Sequence, residues 1–286
     1  MRDISTGESS ILDRIWILAV WTFVGFFILN LIGVVGAVLV DSFATRWLGT
    51  WLPTGFTWHW YLDAWQEFQL GKILTVTFEV VGAVVLISGV LGVPAAYALS
   101  RRDFPGKQAV MLLFLLPLLV PPMTIGIPLA TVLYRFGVGG TIWGVILANL
   151  VPSLPFVILI TIPFIDQIDQ RVEAAARVFG ANTFKLFVYV LMPLLTPGIL
   201  AALLLVLVRT IAMFELTFLT SGPTSQTLVV ALYYAVDAAG VRAGQSVDAM
   251  AMIYMATTLI WLLIALRFVN PTQIVGRQAT PAGHDA

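Results

Sequence analysis

Apolar runs long enough to cross a bilayer recur six times along the chain, over residues 15–40, 73–99, 109–133, 141–164, 195–220 and 248–268. A helix needs about 20 apolar residues to span the hydrocarbon layer. The runs are long and carry no ten-residue alternation, so the pattern predicts an all-α polytopic membrane protein rather than a β-barrel. The first run is about twice the length of a signal-peptide core, and no small-x-small site closes it. It reads as a permanent span. The expected organisation is one transmembrane domain over 15–268, with a core at 73–268 and a polar loop at 166–194. Tails at 1–14 and 269–286 flank it.

Positive charges set the expected orientation. With the N-terminus inside, the inner side holds Arg2, Arg14, Arg101, Arg102, Lys107, Arg171, Arg177, Lys185, Arg267 and Arg277. The outer loops hold Arg46, Lys72, Arg135 and Arg242, so the bias is 10 against 4 and favours both termini inside. The polar loop at 166–194 then faces the cytoplasm.

Composition narrows the function classes. The chain is 59% hydrophobic and 10% charged, with a mean hydropathy of +0.97. Basic and acidic residues balance at 15 each, which argues against a nucleic-acid partner. There is no cysteine, which removes disulfides, thiolate metal sites and thiol nucleophiles, and imidazole is confined to His59 and His284. No catalytic set or metal cluster is expected. Gly71-Lys72-Ile73 and Gly106-Lys107-Gln108 both fail the Gly-x-x-x-x-Gly-Lys-Ser/Thr phosphate loop, so the chain is not an ATPase.

Several features between and within the runs carry candidate chemistry. The outer segment 41–72 holds Trp47, Trp51, Trp58, Trp60, Trp65 and Tyr61. It reads either as a segment lying in the headgroup layer or as an aromatic cage for a cation. The basic turn 100–107 reads as a topology-setting reversal at Pro105-Gly106. Pro117, Pro121, Pro122 and Pro128 fall in the third run, and Pro152, Pro155 and Pro163 in the fourth, where they are expected to kink their helices and shape a path. Glu79, Arg209 and Glu215 fall inside runs and are candidates for a translocation path, with Pro121 and Pro122. Arg209 and Glu215 are six residues apart, off the pairing positions of one helix.

The polar loop itself predicts a helix–turn–helix hairpin. Asp169 can cap a helix from Gln170, Glu173 suits its first turn, and Ala174, Ala175 and Ala176 favour it. Gly180 ends it, Asn182 or Thr183 caps a second short helix through Leu191, and Pro193 stops that one. Thr196-Pro197 then opens the fifth span.

Glu173-Ala174-Ala175, Gly180 seven residues after the glutamate, Leu191-Met192-Pro193 and Pro197-Gly198 resemble the "EAA" signature of permease subunits of binding-protein-dependent ABC importers. Met192 stands where that pattern usually has leucine. The resemblance covers about residues 56–240. Within it, Leu154-Pro155-Phe156 and the stretch 214–223 are most similar to the spermidine/putrescine-type branch. What the resemblance implies is a coupling hairpin in the bacterial cytoplasmic (inner) membrane. Glu173 would cap and orient its first helix, Gly180 would permit the turn, and Arg177 and Phe179 would contact an ATPase subunit. The implied partners are a second homologous permease, two ATP-binding subunits that hold ATP and Mg, an extracytoplasmic solute-binding protein and the lipid bilayer. No cofactor is expected on this chain. The branch favours a polyamine-like cation, with opines, phosphonates, sugars or amino acids as alternatives. An ion-coupled secondary transporter using Glu79 and Glu215 is the reading from another class.

Overall fold

A computed structural model describes residues 11–47, 50–238 and 243–268. The start of the N-terminal tail, with Arg2, and the C-terminal tail 269–286, with Arg277 and His284, lie outside the described residues, as does Arg242. The described chain is all-α: α1 (Ile11–Phe43), α2 (His59–Glu67), α3 (Leu70–Arg101), α4 (Lys107–Leu119), α5 (Pro122–Arg135), α6 (Ile142–Asp166), α7 (Gln170–Val178), α8 (Thr183–Lys185), a π-helical stretch (Leu186–Leu191), α9 (Met192–Ile211), α10 (Glu215–Thr220), α11 (Leu228–Asp237) and α12 (Gly244–Phe268). Among the described residues five helices are long and apolar enough to cross a membrane, and six if the bent pair α4–α5 counts as one.

The chain divides into two compact units, residues 1–64 with 239–252, and residues 65–238 with 253–286. In the first unit α1 carries exposed apolar side chains on every face, among them Trp16, Trp21, Phe26 and Leu29. A helix apolar all round belongs in lipid. Beyond Phe43 the chain turns back through a bridge between Ala44 and Phe56, with Thr57 N–H donating to Phe43 O at 2.7 Å. Phe43 packs on Trp58 and Tyr61, and the Trp60 indole N–H donates to Ala44 O. The tip of this turn exposes Trp51.

The second unit is built on α3, α6 and α9. Val80, Val84 and Val93 from α3, Val145, Val157 and Ile165 from α6, and Leu195 and Val206 from α9 form its buried core. α3 and α6 approach closely because Gly92 has no side chain: a Cβ there would stand 2.8 Å from Val157 Cγ1. Close packing matters more in lipid than in water, since burial against lipid tails gains little by itself. Polar links fix the arrangement. Asn149 Nδ2 donates to Thr217 Oγ1 at 3.1 Å, tying α6 to α10, and Thr77 Oγ1 accepts from Leu228 N–H at the start of α11.

The break expected from the prolines of the third run is present, and α4 and α5 meet at 102°. Val120 and Pro121 each precede a proline, which disfavours helical backbone at both, and both are extended (ψ 136°). The fourth run, by contrast, stays one helix although Pro152, Pro155 and Pro163 lie within it. Single prolines cost one hydrogen bond each, and α6 is held between α3 and α9. Pro193 does not stop a helix, nor does Thr196-Pro197 open one. The backbone stays helical from Thr183 to Ile211, and Met192 N–H bonds Phe187 O five residues back. The wider π turn accommodates the proline that follows it. The fifth span ends at Ile211, and α10 is a separate short helix.

Candidate functional site

The polar hairpin forms much as its residues dictate. Asp169 Oδ1 accepts from Arg171 N–H at 2.9 Å and caps α7, and Asn182 Oδ1 accepts from Lys185 N–H at 2.8 Å and caps α8. Between them Gly180 turns the chain at φ +83°, a conformation glycine adopts without steric cost.

Glu173 does not cap α7, as the resemblance implied. It turns inward and is 7% exposed. Its Oε1 accepts from Arg101 Nε at 2.7 Å and its Oε2 accepts from Tyr97 OH at 2.6 Å. Arg101 also donates through Nη2 to Ile165 O at 2.9 Å and Ile168 O at 2.6 Å. One guanidinium therefore joins the end of α3, the end of α6 and the first turn of α7. Ser100 Oγ adds a hydrogen bond to Asp166 Oδ1, and the Tyr97 ring packs on Phe187. A buried pair is held well only when its remaining donors and acceptors are used. Here they are.

The opposite side of the hairpin is bare. Val178 is 85% exposed and Phe179 91%, and Phe184 and Tyr189 stand out as well. Ala174, Ala175, Arg177, Gly180 and Pro193 are also exposed. The hairpin is thus anchored by one face and presents large apolar groups on the other.

A second candidate site lies within the membrane-spanning part of the same unit. A small cleft is lined by Pro117, Pro122, Val151, Pro152, Arg209 and Met213, beside the α4–α5 bend. The Arg209 guanidinium lies over the Phe156 ring, 5.2 Å from its centroid. Glu215 is half-buried in the first turn of α10 and does not line the cleft, and it makes no ion pair with Arg209. Glu79 is exposed on α3, apart from both. Pro121 caps α5 at the bend. Of the path residues expected from sequence, the cleft gathers Arg209 and Pro122.

The model of the family described as "Binding-protein-dependent transport system inner membrane component" matches residues 88–272, a stretch that holds both the hairpin and the cleft. The chain belongs to that family. Membership makes this permease a multi-pass inner-membrane transport component and not an enzyme. It is 28% identical over 217 residues to the molybdenum transport system permease protein of Escherichia coli, covering 70% of this chain and 91% of that protein. It is 31% identical over 169 residues to the diacetylchitobiose uptake system permease protein of Streptomyces coelicolor, covering 57% of this chain and 56% of that one. Its fold matches that of a bacterial ABC transporter involved in import of the acidic polysaccharide alginate, with a TM-score of 0.72 over 96% of this chain and 100% of the other, at 18% identity.

Sequence reading placed the permease's hairpin but missed its anchor. Arg101 belongs to a turn read as topology-setting alone, and Tyr97 sits in an apolar run. Their 72- and 76-residue separations from Glu173 leave no local spacing to notice.

Proposed function

We propose that the chain is one of two permease subunits of an ATP-driven importer, and that its hairpin docks on an ATP-binding subunit and carries that subunit's closure to the spans. The observation behind this reading is the two-sided hairpin. Glu173 is fixed inward on Arg101 and Tyr97, while Val178, Phe179 and Phe184 project outward. A loose loop would absorb a push. A helix locked to α3 and α6 moves with them as a body. Exposed aromatic side chains on a rigid frame are the usual anchors of a protein interface. Arg177 and the smooth Ala174–Ala175 face join that contact, Gly180 keeps the turn tight, and Pro193 sits where the hairpin enters α9. ATP and Mg belong to two partner subunits, and an extracytoplasmic binding protein delivers the solute.

The solute is a small polar molecule. The likeness of residues 214–223 to the spermidine/putrescine-type branch supports a polyamine-like cation facing Glu215. The relatives' names support another choice, since one carries molybdenum and the other diacetylchitobiose. We follow the relatives and the cleft, where the lining charge is Arg209.

Gly180→Val tests the coupling. Space is open around Gly180, so the substitution strains only the backbone at φ +83°. In the assembled complex it is expected to abolish solute-stimulated ATP hydrolysis while leaving the subunits associated. Normal stimulation together with normal uptake overturns the assignment.

A further inference from the structure

Arg209 is placed where a cation needs a partner, and among the described residues it has none that would neutralise it. Phe156, over which it lies, is the fifteenth residue of α6. At about 1.5 Å per residue the ring stands roughly 21 Å from one end of that helix and about 15 Å from the other. A second contact gives the same register: a Cβ at Gly198 of α9 would run into Phe164 of α6, so the two helices run antiparallel and Arg209 sits level with the middle of α6. An arginine stem is too short to reach the level of either end of α6 from there.

No carboxylate lies within ion-pair distance of Arg209 and no acceptor takes its hydrogen bonds, among the described residues. Among the described residues its specific contact is the Phe156 ring, which holds a guanidinium by its π face and leaves its N–H groups without acceptors, while the C-terminal end of α9 favours its charge only in part. The rest of the cleft is apolar, three prolines (Pro117, Pro122 and Pro152) with Ile125, Val151, Met213 and Leu216. It opens where α4 and α5 break at 102°, and broken spans admit solute in many transporters. Intramembrane charges of this kind mark ion and substrate pathways.

We infer that Arg209 is the anion-recognising group of the translocation path, and that the carried solute bears an oxyanion or carboxylate group. A guanidinium presents parallel N–H donors that match such groups two at a time. The inference rests on the permease reading, and Phe156 is its positioning residue, setting the plane of the fork toward the cleft.

The test uses the whole complex, purified with its ATP-binding subunits in lipid nanodiscs, and reads its melting temperature at constant ionic strength. The probes are molybdate, galacturonate, spermidine and maltose, each titrated into the millimolar range. A saturable upward shift with molybdate, with galacturonate or with both is expected, and the responding probe separates an oxyanion from a carboxylate. Arg209→Gln is expected to lose the shift, and Arg209→Lys to keep it at a higher half-saturating concentration. A shift confined to spermidine or maltose, a shift that survives Arg209→Gln, or no shift with any probe overturns the inference. So does native mass spectrometry showing that Arg209→Gln splits the permease pair while Arg209→Lys holds it, since Arg209 would then pair with a carboxylate of the second subunit. Absence of ATP-binding subunits from the purified wild-type complex is scored separately, and that result overturns the importer reading itself.

Discussion

Glu173 illustrates how far a single residue can be read. Its place in the first turn of a helix after Asp169 is legible, because an acidic side chain there suits the helix dipole. Its inward turn is not, because the partner Arg101 comes from a helix end 72 residues earlier. The pair is only 10% exposed on either side chain, and removing one partner of such a pair costs roughly 3 kcal/mol. Arg101→Ala is expected to lower the melting temperature of the purified permease more than Glu173→Ala, since it also orphans the Ile165 and Ile168 carbonyls. The double variant should fall short of the sum by roughly 1 kcal/mol or more. Additive effects in that cycle would mean the ion pair does not lock the hairpin. Arg209 shows the complementary case. Its presence in an apolar run was enough to flag it, but its position over Phe156, facing a proline-lined cleft, needed α4, α5, α6 and α9 to be brought together.

At the scale of elements, prolines separate what local sequence decides from what packing overrides. Pro121-Pro122 breaks the third run because two successive residues are each held out of the helical region by the ring that follows. Pro152, Pro155 and Pro163 leave α6 whole, since each loses one bond in a helix clamped on two sides. Both runs are apolar and long enough to span, so hydropathy alone does not tell them apart. Replacing Pro121 and Pro122 together by alanine is therefore expected to relax the 102° bend. The chain has no cysteine, so spin labels on Leu112→Cys and Thr131→Cys in that background would report a longer interlabel distance by pulsed electron resonance. An unchanged distance would show that tertiary contacts, and not the proline pair, hold the bend. The stretch before Pro193 is a third outcome: a π turn absorbs the proline and the helix runs on. A stop was the natural expectation from sequence, because the wider turn has no residue signature of its own.

For the molecule as a whole, the missing phosphate loop and the exposed hairpin state the same dependence from two directions. The chain carries no phosphate loop, and it leaves Phe179 and Val178 exposed on the hairpin. Reconstituted by itself, the permease is expected to show neither ATP hydrolysis nor uptake of solute down an imposed proton or sodium gradient. Adding the second permease, the ATP-binding subunits and the loaded binding protein should restore both hydrolysis and uptake. Gradient-driven uptake by the isolated chain would return the secondary-transporter reading to the field.

Sequence alone determined that this protein lives in a membrane, that its spans are helices, and that a polar hairpin with an EAA-like spacing interrupts them. Those properties follow from hydropathy, helix capping and one glycine, all of which act over a few neighbouring residues. Tertiary structure alone decided that Glu173 anchors the hairpin rather than capping it, that the fourth span stays one helix across its three prolines, and that Arg209 meets the cleft while Glu79 does not. Each of those depends on groups far apart in the chain arriving within a few ångströms, and in lipid that arrival is governed by close packing and paired polar atoms, which no local pattern encodes.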